Sequence, residues 1–255
     1  MRQKTAFTLV ELLVVISIIS LLMGILMPVL TKTRQQGQSA MCLSNLRQMV
    51  ITAMMYANNN DDYFPMAYIT EKDGSLRKSI AWDFTNVSNS GQKYIEPGLL
   101  WQGEMIEKIQ QCPSFKGKAN WMDDPYTGYN YNTSYIGGSC AIKDEVVLSS
   151  TVIMSARAVD VRKPESCAIF GDGQWENGAN KFMRSPFPGP HDEGFSGNWA
   201  GTQGYRHLHK TNVAFCDGHS RSWDKCYKNT VPTDVDKIAE GTGFLSPDNS
   251  LYDLK

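Results

Sequence analysis

Four histidines, His191, His207, His209 and His219, gather in the carboxy-terminal third of the chain, with Asp192 and Asp217 among them. Imidazole nitrogens and carboxylate oxygens are ligands for a zinc-type ion. On a strand, His207 and His209 would project to one face. The candidate ligands are therefore His207, His209, Asp217 and His219. Their spacing matches no established zinc signature, and a turn accounts for Asp217-Gly218, so the plainer expectation is a His207 that hydrogen-bonds to the turn around Asp217. The six cysteines, Cys42, Cys112, Cys140, Cys167, Cys216 and Cys226, form no C-x-x-C pair, which argues against a zinc ribbon or a thioredoxin-like centre.

Nucleophilic and nucleotide chemistry has little to work with. No G-x-S-x-G is present, and Gly194-Phe195-Ser196-Gly197 only brushes it. No G-x-G-x-x-G or P-loop occurs. A Cys/His nucleophile, or a hydrolase centred on the histidines, is the remaining catalytic reading; we assign no catalytic residue and expect no enzyme. Trp175, Trp199, Tyr205 and Trp223 could stack on a sugar, although such residues more often anchor cores and loops.

The elements that must carry these residues follow from composition. Of 255 residues, 25 are Lys or Arg and 26 are Asp or Glu, for a net charge of −1, which argues against a nucleic-acid binder held by bulk electrostatics. With 42% hydrophobic and 20% charged residues the chain can bury a core. Between Lys4 and Lys32 the one formal charge is Glu11, and Leu12 to Leu30 carries none. That run reaches ~28 Å as a helix, close to a hydrocarbon core of ~30 Å. Arg2 and Lys4 precede it, so the amino terminus is expected in the cytoplasm and the remainder outside. The run exceeds a secretory signal's apolar region, and no A-x-A site follows it. A plain signal anchor would not need Glu11; a carboxylate at membrane depth costs ~2.5–3.5 kcal/mol on the scale for Asp, and it calls for a partner.

Lys4-Thr5-Ala6-Phe7-Thr8-Leu9-Val10-Glu11-Leu12-Leu13 resembles the cleavage and methylation signature of type IV prepilins and type II secretion pseudopilins. The resemblance implies a cut between Ala6 and Phe7, where Ala6 replaces the commoner Gly, and N-methylation of Phe7. It implies that Glu11 pairs with the terminal amine of a neighbouring subunit and that Pro28 is the helix-kinking proline of such anchors. The implied partners are a prepilin peptidase, other pilin or pseudopilin subunits, an inner-membrane assembly platform and the membrane, with no nucleic acid. The implied location is a single pass of the inner (cytoplasmic) membrane, with a periplasmic or extracellular head. Cys42-Leu43-Ser44-Asn45-Leu46-Arg47-Gln48, Asp62-Tyr63-Phe64-Pro65, Gln111-Cys112-Pro113-Ser114 and His207, nine residues, then Asp217-Gly218 resemble the large-headed prepilin-like proteins of planctomycete- and lentisphaera-type bacteria. No cofactor is required; calcium, through Asp172 and Asp217, is suggested because pseudopilin heads hold it, although the EF-hand pattern is absent.

The expected fold is α+β and pilin-like, with a leader at 1–6, a helix at 7–60 whose first half is transmembrane, and an exported head at 61–255 carrying an antiparallel sheet and long loops. Leu43, Leu46, Val50, Ala53 and Ala57 form the stripe that faces the head, and Asn58-Asn59-Asn60-Asp61 stops the helix. Strands are expected at Val146–Ala156, Ser166–Phe170, Thr211–Cys216 and Ser220–Trp223, with Asp217-Gly218 turning between the last two; 61–140 and Gly171–Gly204 read as weakly periodic and loop-rich. An even number of exported cysteines suggests disulfides, with fifteen full connectivities for six. Cys42–Cys112 is the first pair to expect because it would tie helix to head, leaving Cys140–Cys167 and Cys216–Cys226; free buried thiols are the alternative. Two functions remain open at this level: a filament subunit assembled through its helix, or an anchored module that binds polysaccharide or metal.

Overall fold

A computed structural model describes residues 8–102, 107–119, 124–144, 146–148, 152–176, 178–192 and 197–255. Helix α1, Leu9–Asn59, has 51 residues, or about 76 Å at 1.5 Å per residue. Its side chains up to Gly37 are exposed, and the segment is long and apolar enough to cross a membrane. A helix that is apolar on every side is one that lipid or other helices will surround, with its own backbone bonds satisfied internally. The helix continues through Pro28, which removes one amide donor; Thr31 and Thr33 return their hydroxyls to the carbonyls of Met27 and Val29, at 3.0 Å each.

From Cys42 onward the same helix becomes one-faced. Cys42, Leu46, Met49, Val50, Ala53 and Ala57 are buried, whereas Leu43, expected in that stripe, is half-exposed. The helix ends at the expected asparagines: Asn60 Nδ2 donates to Tyr56 O at 2.7 Å, and Asp61 and Asp62 adopt positive φ.

The head holds two larger sheets. Strands β1 (Tyr68–Asp73), β2 (Leu76–Ala81), β3 (Phe84–Asn89) and β4 (Gln92–Pro97) form an antiparallel meander in the stretch expected to be loop-rich. β5 (Asn130–Asn132) belongs to the other sheet, while β6 (Ser139–Lys143) pairs parallel with β1 and extends to β7 (Val146–Val147), giving the order β4-β3-β2-β1-β6-β7. The expected strand Val146–Ala156 is corrected: among the described residues only Val146–Val147 form a strand, and Ile153 makes an isolated bridge to Ser139. A run of β-branched residues on a sheet edge has pairing partners for part of its length only.

The second sheet packs on α1. It contains β8 (Ala168–Gly171), β9 (Phe182–Met183), β11 (Thr211–Phe215) and β12 (Ser220–Trp223) in the order β12-β11-β8-β5-β9, while β10 (Gln203–Gly204) pairs separately with β13 (Thr242–Gly243). β11 is buried at every position, because α1 covers one face and the carboxy-terminal segment the other. Asp217-Gly218 makes the expected turn, with Gly218 at φ +91° and the Phe215 amide bonded to His219 O. The fold is thus α+β and pilin-like, with both parallel and antiparallel strand pairs.

Two groups tie the sheets together. Trp82, Tyr131 and Phe170 form an aromatic cluster with centroids 5.1–5.8 Å apart. Lys181 lies buried between the carboxylates of Asp83 and Asp124, at 2.8 and 2.7 Å. Removing the cation would leave two buried carboxylates facing each other. We expect Lys181→Met to destabilise the head by about 3–5 kcal/mol and Leu46→Ala by about 2–5 kcal/mol, both read from denaturant midpoints; a wild-type midpoint for Lys181→Met would contradict this account of the core.

Candidate functional site

At the amino-terminal end, Ala6 and Phe7 lie outside the described residues. Thr8 caps α1: its backbone amide and hydroxyl donate to Glu11 Oε2 at 2.8 and 2.7 Å, and the Glu11 amide donates to Thr8 Oγ1 at 3.2 Å. This capping box satisfies otherwise free amides and sets the acidic side chain at the positive end of the helix dipole.

Where α1 meets the head, four distant segments converge on Asp172. Cys42 comes from α1, Cys112 from the loop after the short helix Glu107–Gln110, Asp172 from the end of β8, and Arg206 with His207 from the segment leading into β11. Asp172 has no solvent exposure. Its Oδ1 accepts from Cys42 Sγ and Arg206 Nη2, both at 3.1 Å; its Oδ2 accepts from the Asn212 amide at 2.7 Å and lies 3.2 Å from His207 Nε2. Cys112 Sγ lies 3.7 Å from His207 Nε2 and 3.3 Å from Arg206 Nε, and His207 Nδ1 lies 3.3 Å from Ser114 Oγ. Each of the four groups, Cys42, Cys112, Asp172 and His207, is buried, and their ligand-type atoms lie within 4.8 Å of one another.

The backbone makes room for this convergence. A Cβ on Gly128, which sits at φ +116°, would meet Cys112 Cβ at 2.7 Å, and one on Gly173, beside Asp172, would collide with Asn180 O.

The charges follow from the geometry. Burial raises the Asp172 carboxyl, but the Arg206 charge and the His207 hydrogen bond outweigh it and hold the group below its ordinary value. Burial likewise raises Cys112, yet the Cys42 hydrogen bond and Arg206 bring its thiol down to about 5. Cys42 is pushed well up by burial and by its hydrogen bond with Cys112. Burial opposes the His207 charge, and the bonds to Asp172 and Cys112 still hold its value at about 9. At neutral pH the cluster therefore holds a carboxylate, a thiolate, an imidazolium, a guanidinium and one neutral thiol.

Several expectations change here. His207 does not reach the turn around Asp217; His219 does, with Nδ1 2.5 Å from Asp217 Oδ1 and its ring stacked on Phe215. His209 is exposed at positive φ, so the set His207, His209, Asp217 and His219 does not converge. Two residues apart, His207 and His209 sit in a tight turn and not on a strand, which removes the shared face. The calcium pair Asp172 and Asp217 is separated too, one in the buried cluster and the other in the β11–β12 turn. His191 bonds Gly137 O, and Asp192 receives Ser134 Oγ.

None of the six cysteines is in a disulfide. Cys42 and Cys112 are neighbours as expected, but Cys167 neighbours Cys216, because its carbonyl accepts the Cys216 amide where β8 and β11 run side by side. That overturns Cys140–Cys167 and Cys216–Cys226: Cys140 lies on β6 in the other sheet, and Cys226 donates to Thr242 O. Tyr205 and Trp223 direct their polar atoms to the carbonyls of Phe244 and Leu245, as anchors of the carboxy-terminal segment, while Trp175 and Trp199 pack edge to face.

The nine residues between His207 and Asp217 acquire a physical meaning. They comprise one tight turn, in which His207 and Lys210 exchange backbone bonds, and the strand β11 that crosses under α1. Sequence reasoning paired Cys42 with Cys112 and named Asp172 and His207 separately, but it never joined the four, and it gave Arg206 no role. The missing signal is the β8–β11 pairing, a long-range relation.

Among known families, the one described as the prokaryotic N-terminal methylation motif matches residues 1–27. No curated protein and no solved structure matches the chain. The motif and the helix that follows make this a prepilin-like chain, anchored in a membrane by its amino-terminal helix, with an extracytoplasmic head.

The cluster's charges predict a pH profile. Stability from the depressed Cys112 thiol is present above its unfolded value near 9.0 and is lost as pH falls through about 5. Stability from the raised His207 is present below its ordinary 6.5 and is lost as pH rises through about 9. The two oppose each other between 6.5 and 9, which leaves a near-plateau there and an acid limb below it. With chelator present, Cys112→Ser should flatten the acid limb and expose a decline above pH 6.5 in denaturant midpoints; an unaltered profile would contradict the charge assignment.

Proposed function

We propose that the chain is a structural subunit of a type II secretion pseudopilus or a type IV pilus-like filament, matured by a prepilin peptidase and assembled through α1. The observation that carries this reading is Glu11, an acidic side chain at the start of a helix whose apolar residues are exposed from Leu9 to Leu30. Beyond the capping box, an anchor alone gains nothing from a carboxylate at that depth.

In the single chain the Thr8 hydroxyl and amide hold the Glu11 carboxylate. That arrangement lets the subunit wait in the inner membrane, its amino terminus on the cytoplasmic side. Cleavage between Ala6 and Phe7 then creates a terminal amine one residue before the cap. In a filament, that amine on one subunit supplies the full positive charge that Glu11 of its neighbour lacks, and an ion pair out of water is favourable only with such close, hydrogen-bonded geometry. The apolar half of α1 exchanges lipid for neighbouring helices, with Gly24 and Pro28 on the helix surface. The buried face from Cys42 to Ala57 keeps the head fixed to the helix that is transferred.

Glu11→Ala should leave membrane insertion and leader cleavage intact and reduce incorporation into sheared or cross-linked filaments by at least tenfold, with Glu11→Asp intermediate. Wild-type incorporation of Glu11→Ala would refute the assembly role.

A further inference from the structure

Filament assembly through Glu11 makes no use of the buried cluster at the helix–head junction, and a proposal about that cluster stands apart from the assembly reading. We propose that Cys42, Cys112, Asp172 and His207 form a four-ligand site for a thiophilic divalent ion, zinc above all, which fastens α1 to the head.

The donor set is the first argument. Two cysteine sulfurs, one imidazole nitrogen and one carboxylate oxygen are the ligand types of tetrahedral zinc, and a hard cation such as calcium would not select sulfur. Spacing is the second. Zinc–ligand bonds of ~2.0–2.3 Å place tetrahedral ligands about 3.3–3.8 Å apart. The structure has Cys42 Sγ to Asp172 Oδ1 at 3.1 Å, Asp172 Oδ2 to His207 Nε2 at 3.2 Å and His207 Nε2 to Cys112 Sγ at 3.7 Å. All four donors fall within 4.8 Å, so closing on a common ion brings the widest pair together by about 1 Å.

The surroundings are those of a ligand shell. Ser114 Oγ beside His207 Nδ1 can take that nitrogen's proton in a hydrogen bond, which leaves Nε2 with its lone pair toward the site. The Asn212 amide and Arg206 orient the Asp172 carboxylate, and Arg206 Nε points at Cys112 Sγ. Charge closes as well: two thiolates and a carboxylate against a dication and the Arg206 guanidinium sum to zero. On binding, the proton of Cys42 Sγ and that of His207 Nε2 pass to solvent, and four lone pairs go to the ion. Nothing is oxidised or reduced.

A Cys42–Cys112 disulfide is the competing chemistry at the same place. It would join helix to one loop only and would leave Arg206, His207 and Asp172 arranged around a neutral bond. An ion joins four segments that are remote in the chain, and with four protein ligands and full burial it would be structural.

The test uses the full-length chain purified from membranes in detergent, without chelator or reductant. Elemental analysis should find about one zinc per chain. After stripping, Co2+ titration should saturate at one equivalent with the intense visible bands of tetrahedral cobalt and a thiolate-to-cobalt charge-transfer band. Cys112→Ser and His207→Ala should lose those bands, and Cys140→Ser, outside the cluster, should keep them. Ser114→Ala retains all four ligands and should weaken Co2+ binding about 10–100-fold. A folded wild-type chain with no tetrahedral cobalt spectrum would overturn the site. So would a native mass about 2 units low, mapped to a Cys42–Cys112 bridge, because each bridge removes two hydrogens.

Discussion

A carboxylate with no exposure to water governs how this head is joined to its helix. Asp172 directly follows β8 beneath α1, and burying an unpaired charge there would cost several kcal/mol. Its oxygens are instead shared among Arg206, His207, Cys42 and the Asn212 amide. Those partners belong to the anchor helix, to the turn before β11 and to β11 itself, so satisfying one acid fixes the relative positions of all three. The loop of Cys112 is drawn in through Arg206 and His207, and Gly128 and Gly173 supply the space.

The same constraint explains the division of α1. Its first part carries apolar side chains on every side with nothing among the described residues to cover them, and its second part buries one face, Cys42 to Ala57, against β8, β11 and β12 while Ile51 and Met55 stay exposed. The change occurs where Ser39 and Cys42 reach the Asp172–Asn212 region: Ser39 Oγ pairs with the Asn212 side chain, and one helical turn on, Leu43 O accepts Ser220 Oγ. A subunit that moves between lipid and a helical assembly needs a free half to exchange surroundings and a fixed half to carry the head. Polar fastening at the boundary suits that requirement, since hydrogen bonds fix register where apolar packing alone permits sliding.

Much of the framework was legible in the sequence because it depends on local pattern. The apolar run, the stop at Asn58–Asp61, the strands around Phe170 and Val213 and the Asp217-Gly218 turn follow from composition, capping and turn chemistry within a few residues. The β1–β4 meander was not legible, because its strands are half-buried with mixed polarity on both faces and lack clean alternation. Val146–Ala156 had the opposite fault: it is rich in β-branched residues, yet among its described residues it meets β6 only at Val146–Leu148 and at Ile153. The cluster failed for a third reason. Cys42, Cys112, Asp172 and His207 stand far apart in sequence, and only the antiparallel pairing of β8 with β11 and the docking of α1 bring them together.

The claim on which the functional account rests is maturation at the Ala6–Phe7 bond, and the intact mass of the membrane-extracted chain tests it directly. The account predicts a mature chain that begins at N-methylated Phe7, with Glu11 retained. A chain that still begins at Met1 would contradict it and leave α1 as a simple anchor for the head.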